Sequence, residues 1–467
     1  MDPNTTPLSL EEALRAARET RCLEIGEGVL AATPRLFREH FGERPAVVVA
    51  DANTFAAAGQ AVQTALQTGH HPVLRPFVFR QPDLYAEYER VAELEASLHQ
   101  HEAIPVAVGS GTINDLTKLA AHQAGRPYMC VATAASMDGY AAFGASITRG
   151  GSKQTFPCPA PAAVVADLGV IAAAPAEMNA WGYADLLAKV PAGADWILAD
   201  ALGVEPTNPE AWTMVQGRLA DALAEPDGVR ACRPTALRRL VEGLMLSGLA
   251  MQVARSSRPA SGAEHQFSHL WDMQRHTHHG RAPSHGLKVG IGTLAVTALY
   301  ECLLRKPLAQ LDFEPRIATW PDAAEWAQRA REHLGESDAG AVAIREIAAK
   351  HISPDDLRWQ LERLRAVWPR LAEQLRQQLI PFAALGAMLR AAGAATDPGH
   401  IGIARDRLRE SHWQAFFIRR RFTILDLAVR TGLLDDCLSE VFGPNGPWPP
   451  DPQGPTPGRR GNPPGNV

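Results

Sequence analysis

The stretch 261–286, SGAEHQFSHLWDMQRHTHHGRAPSHG, holds six of the chain's 16 histidines. Neutral imidazoles suit a borderline divalent ion, above all when a carboxylate joins them, so the question is which of the six could share one. Ser261 followed three residues later by Glu264 has the form of a capping box and predicts a helix starting near Gly262. On that helix His265, His269, Asp272 and His276 recur on one face. His276, His278 and His279 fall in the polar run QRHTHHGR, which reads as a solvated helix end or loop, so these three are expected to stay off any metal. Asp185, in NAWGYADLLAKVPAGADW, is the carboxylate that stands out. In an apolar helical run its charge is costly unless a cation offsets it, although an exposed helix position would also account for it.

Two further stretches have the composition of ligand loops. VAVGSGTINDLTK (106–118) is an apolar run, a Gly-Ser-Gly turn and a helix start near Asn114, an arrangement that offers backbone N–H groups and a helix dipole to a phosphate. The third glycine of the dinucleotide fingerprint is missing, and a plain strand-to-helix turn would look the same. Thr133, Ser136 and Asp138 follow the next apolar run, at the strand end where open α/β sheets bind ligands and where turn residues also gather for backbone reasons.

The elements that must carry these residues differ between the two parts of the chain. Apolar runs at 45–50, 72–79, 104–108, 128–132 and 162–166 alternate with helical stretches such as 54–67 and 114–124, which predicts a parallel sheet covered on both faces. From about residue 175 strand-like runs give way to helical spacing, as at 234–255, 353–378 and 412–429. The expected organisation is an α/β nucleotide-binding domain over 1–174, an all-α domain over 175–442, and a Pro/Gly-rich disordered tail over 443–467.

A chain of 467 residues, 46% hydrophobic with a net charge of -5, can bury large cores and shows no basic footprint for nucleic acid. Its 6 cysteines form no C-x-x-C pair, as expected of reduced thiols in a cytoplasm. The charged N-terminal region does not look like a secretory signal, and no apolar run is expected to span a membrane.

In combination these residues resemble the sn-glycerol-1-phosphate dehydrogenase family, within the superfamily of iron-containing alcohol dehydrogenases and dehydroquinate synthases. The resemblance runs from VVVADANTFAAAG (47–59) to GLKVGIGTL (286–294) and is carried most by SRPASGAEHQFSH with the later SHGLKVG, and by ADLLAK with its following DW. It implies an N-terminal Rossmann-like domain with a parallel sheet, an all-α C-terminal domain of the dehydroquinate synthase-like kind, NAD(H) or NADP(H), and one divalent metal ion, zinc, nickel or iron. The resemblance places metal ligands on Asp185, His265 and His285, and a substrate-binding histidine on His269. It places Gly109, Gly111, Thr112, Asn114 and Asp115 along the pyrophosphate, Thr133 and Ser136 near the nicotinamide, Asp138 at the substrate and Asp51 near the adenine ribose.

The implied reaction is reversible hydride transfer between the nicotinamide and dihydroxyacetone phosphate, giving sn-glycerol 1-phosphate, in a homodimer or larger homo-oligomer. Arg258, Lys153 and Lys189 are candidates for the substrate phosphate by position. Ala142 stands where many relatives carry a serine. Lys189 replaces the histidine usual in iron-type alcohol dehydrogenases, and Asp185 the glutamate of dehydroquinate synthases. The alternatives are a related dehydrogenase acting on glycerol or another ketone, a dehydroquinate synthase-type lyase, and a non-catalytic binding protein. The length of chain beyond about Leu311 exceeds that of compact members.

Overall fold

Val47, Val48, Val49 and Ala50 are almost wholly buried, as a strand covered on both faces requires. The computed structural model describes residues 7–150 and 152–450. Its strands are β1 (Cys22–Gly26), β2 (Ala46–Asp51), β3 (Phe77–Phe79), β4 (Ile104–Gly109), β5 (Met129–Ala132), β6 (Ala145–Arg149), β7 (Ser152–Phe156) and β8 (Ala163–Asp167). Six of them form one parallel sheet in the order β1-β8-β5-β4-β2-β3, and β6 and β7 pair as an antiparallel hairpin.

All five apolar runs therefore enter the sheet, with one shortened. Of 72–79 only Phe77–Phe79 is strand, because Pro72 and Pro76 interrupt the ladder and leave Val73 a single bridge to Ala46. Three strands carry no apolar signature. β1 lies at the sheet edge and is mostly half-buried, and the hairpin strands ASITR and SKQTF alternate polar residues over a partly exposed surface.

The remainder of the chain is helical. Pro234–Ala254 and Pro354–Gln378 match the expected helices closely. The expected helix over 412–429 is instead two, Arg405–Phe417 and Ile424–Thr431, because Thr423 and Asp426 form a capping box that starts a new helix. His285–Leu304 corrects the expectation about apolar runs. It is apolar and long enough to cross a bilayer, yet 83% of its most apolar window is buried inside the protein, as expected of a helix that is hydrophobic all round. Of the expected tail, residues up to Pro450 are described, and Trp448 is buried with its ring against Phe382 and under the Arg405 guanidinium. Residues 451–467 lie outside the described residues.

Two glycines set how closely the site elements approach. A Cβ at Gly182 would stand 1.8 Å from the Ala135 carbonyl oxygen, and one at Gly286 would stand 2.1 Å from that of Trp181. Without side chains there, the helix Ala176–Leu187 lies against both the loop after β5 and the start of His285–Leu304.

Candidate active site

Asp185 sits on Ala176–Leu187, His265 on Ala263–Met273, and His285 opens His285–Leu304. One ligand-capable atom from each lies within 4.8 Å of the others. The two histidines direct Nε2 at Asp185 Oδ1, at 3.4 Å and 3.9 Å. Their Nδ1 atoms are engaged behind, His265 with Glu264 Oε1 at 2.7 Å and His285 with Ser268 Oγ at 3.3 Å. A proton held on Nδ1 leaves Nε2 a free lone pair, the arrangement in which histidines bind metal. The donor set therefore fits a divalent ion.

Electrostatics agree with that fit at Asp185 and His285, whereas at His265 burial lowers the imidazole and hydrogen bonds to Asp185 and Glu264 raise it above its usual value. Burial raises the Asp185 carboxyl, but the Lys189 ammonium and the two histidines hold it far below the ordinary range. Lys189 is buried at 3.0 Å from Asp185 Oδ1 and 2.8 Å from Asp138 Oδ2. Burial opposes its charge, and the two carboxylates more than restore it. Burial also pushes the His285 imidazole down to about 3 and the His269 imidazole well below its usual value, so both are neutral at physiological pH.

The helix that carries the histidines begins where expected, by a different device. The N-cap is Gly262, and the Ser261 hydroxyl does not cap it but accepts a hydrogen bond from Arg419. Asp195 Oδ2 accepts from the Ala263 N–H at 2.7 Å, while Glu264 Oε1 accepts from the Gly262 N–H at 2.6 Å. Asp195 Oδ1 also accepts from the Tyr300 hydroxyl and the Ile424 N–H, so one buried carboxylate ties together three helices. Neither Asp195 nor the link from Glu264 to His265 was singled out in the sequence; a Glu-His pair and the DW after ADLLAK were the available signals.

The one-face stripe divides. His269 and Asp272 both line the cleft with His265 and His285, but Asp272 is held there by Lys153 and Lys288. The helix ends at Met273, so His276 leaves the stripe and bonds the Ile401 carbonyl and Arg407 instead. His278 and His279 stack on each other in the following turn.

These residues form one wall of a cleft of about 1080 Å³, whose opposite wall is the carboxyl end of the sheet. Ser110, Gly111, Thr112 and Asp115 line it at the start of the helix Gly111–Gln123, together with Ser136 and Asp138. Asp51, Gly109, Asn114 and Thr133 do not reach the lining. Asp51 caps its own helix through Thr54, the Gly109 carbonyl accepts from the Thr133 N–H, and Asn114 is spent on Tyr128 and the Gly139 carbonyl. Two cations proposed for a phosphate are also committed elsewhere. Arg258 is buried, donating to the Phe422 and Asp195 carbonyls, and Lys189 is locked between Asp138 and Asp185. Lys153 does line the cleft, joined by Lys288 and Arg419, which sequence reasoning missed.

A parallel sheet with a glycine turn, facing a helical half that carries an aspartate and two histidines, defines a dehydrogenase of the iron-containing alcohol dehydrogenase fold. A probable glycerol dehydrogenase from Sinorhizobium meliloti 1021 shares it, with a TM-score of 0.57 at 16% identity over 90% of this chain and 97% of that one. Residues 24–175 match the family model for iron-containing alcohol dehydrogenase. A glycerol-1-phosphate dehydrogenase (NAD(P)+) from Halalkalibacterium halodurans is 36% identical over 64% of this chain and 78% of its own length. Another, from Geobacillus stearothermophilus, is 30% identical over 76% of this chain and 88% of its own. The chain belongs to the glycerol-1-phosphate dehydrogenase family, a family of NAD(P)- and metal-dependent oxidoreductases.

Proposed function

We propose that the protein reduces dihydroxyacetone phosphate to sn-glycerol 1-phosphate, reversibly, with NADH or NADPH. The observation that carries this is the convergence of Asp185, His265 and His285 on one point of a cleft whose other wall is the glycine turn. Asp185, His265 and His285 would hold a divalent ion, zinc, nickel or iron, which when bound would supply Lewis-acid polarisation of a ketone oxygen. The N–H groups of Gly111 and Thr112 at the helix start would hold the pyrophosphate of a dinucleotide, which would supply the hydride.

The chain's own residues do the positioning. Lys189 and the Asp138 N–H fix the Asp185 carboxylate, and Glu264 fixes the His265 tautomer. His269, neutral and facing the cleft, accepts or donates a proton at a substrate hydroxyl. Ser136 and Asp138 stand at the substrate and nicotinamide end, and the cations Lys153, Lys288 and Arg419 favour an anionic substrate. The free cysteines suit a reducing cytoplasm, and the family resemblance supports a homodimer or larger assembly.

The test is oxidation of NADH and NADPH on adding dihydroxyacetone phosphate, with and without a chelator, followed by chiral analysis of the product. Chelator-sensitive turnover to the sn-1 enantiomer is expected. No turnover by metal-loaded protein overturns the reading, and equal efficiency with dihydroxyacetone favours a dehydrogenase of unphosphorylated polyols.

A further inference from the structure

The break that divides the expected helix over 412–429 delivers three consecutive arginines, Arg419, Arg420 and Arg421, to the surroundings of the site. Arg420 is exposed and paired with Glu346. Arg421 turns inward to the Ser261 carbonyl and the Ser257 hydroxyl. Arg419 is half-buried, lines the cleft, and donates to Ser257 Oγ at 2.9 Å and Ser261 Oγ at 3.2 Å.

Three features of this group suit an anion. First, among the described residues Arg419 has no carboxylate at ion-pair distance, whereas the nearby Lys153 and Lys288 share Asp272. A partly desolvated guanidinium whose hydrogen bonds go to hydroxyl oxygens is not neutralised by them. With one N–H of each terminal nitrogen given to a serine, it keeps the second N–H of each for a ligand. Second, Ser257 Oγ and Ser261 Oγ accept hydrogen bonds from the arginines, and among the described residues neither donates one. Each hydroxyl proton is therefore free, and both serines line the cleft, Ser261 being only 4% exposed. Third, Ser261 lies four residues before His265, just ahead of the helix that carries it, and Arg419, Ser257 and Ser261 line the same cleft as His265, His269 and His285.

We propose that Arg419, with Ser257 and Ser261, binds the phosphate of the substrate and sets the preference for a phosphorylated ketone. This rests on the reading of the substrate given above, and it gives the helical material beyond Leu311 a part in the site. An arginine meets a phosphate with two parallel N–H groups, which a lysine locked against Asp272 cannot do.

The experiment compares kcat/KM for dihydroxyacetone phosphate with that for dihydroxyacetone in the native enzyme, Arg419→Met and Arg419→Lys, and measures competition by inorganic phosphate in each. The native enzyme should prefer the phosphorylated ketone and be inhibited by phosphate. In Arg419→Met the preference should fall by roughly 10- to 100-fold, the worth of one hydrogen bond to a charged group, and phosphate should no longer compete. Arg419→Lys should recover part of the loss. If Arg419→Met does not fold, the double variant Ser257→Ala, Ser261→Ala carries the same expectation of reduced preference. An undiminished preference in a folded variant overturns the proposal and leaves the substrate reading standing. Absence of any preference in the native enzyme overturns both.

Discussion

Asp185 lies buried behind the two cleft histidines and Asp272 lines the cleft itself, and each is held by lysine, yet their surroundings give them different chemistry. Asp185 is fully buried, and its Oδ1 looks at two imidazole Nε2 atoms besides Lys189. Asp272 has one oxygen on Lys153 and the other on Lys288, so its charge is already balanced by two fixed cations. The helical spacing His265, His269, Asp272 makes the second carboxylate the natural partner for the histidines, and tertiary packing supplies the first. What selects a metal-binding carboxylate is therefore the company at its oxygens, since a carboxylate between two ammonium groups is already neutralised.

The largest effect should come from the Asp185 cluster. His265→Ala or His285→Ala should empty the protein of metal and lower turnover on the order of 10³-fold or more, because polarisation of the substrate is lost. Metal analysis beside steady-state kinetics decides this, and retention of both would mean that the ion, if any, lies elsewhere.

Asp272→Asn should do the reverse, keeping the metal while costing stability. Removing the carboxylate strands two partly buried ammonium groups, for a loss of about 3 kcal/mol in urea unfolding. Burial raises the Asp272 carboxyl, but Lys153 and Lys288 hold it well below the ordinary range in the folded state. Its contribution is therefore complete above the unfolded value of about 3.9 and is lost as pH falls toward the folded one. The native protein should lose stability more steeply than Asp272→Asn on acidification below about pH 4. Equal slopes would show that the pair with the lysines contributes nothing.

The smallest effect belongs to the histidines outside the cluster. Replacing His276, His278 and His279 together by alanine should leave metal content unchanged and cost about 1 kcal/mol, chiefly the bond from His276 to the Ile401 carbonyl. A metal-free product would show that the dense HTHH run, and not His265 and His285, holds the ion.

Much of the fold was legible because it rests on local composition. The central strands are apolar on both faces, so β2, β4, β5 and β8 announce themselves, while β1 and the hairpin of β6 and β7 do not, being half-exposed and polar. Of the candidate site residues, His265 and His269 were marked by helical spacing and Asp185 by its apolar surroundings, while the ligand set of Asp185, His265 and His285 came from the family resemblance. The start of the histidine helix was placed correctly on an incorrect ground, since Asp195, a residue distant in sequence, supplies the cap that Ser261 was expected to give. The helix break at Ile418–Thr423 was hidden by apolar spacing that runs through it, although the Thr423 and Asp426 capping pair was there to be read.

The parallel sheet, the glycine turn at its carboxyl edge and the helical second half follow from residue type and short-range period, and the set Asp185, His265 and His285 followed from the family resemblance. Only the tertiary structure decided which carboxylate meets the histidines, that Lys189 and Arg258 are spent inside the protein, and that Arg419 reaches the cleft with its charge unpaired. Apart from the i,i+4 pair of Lys189 with Asp185, those outcomes depend on contacts between residues tens to hundreds of positions apart, and such contacts are fixed by helix packing, which no local pattern encodes.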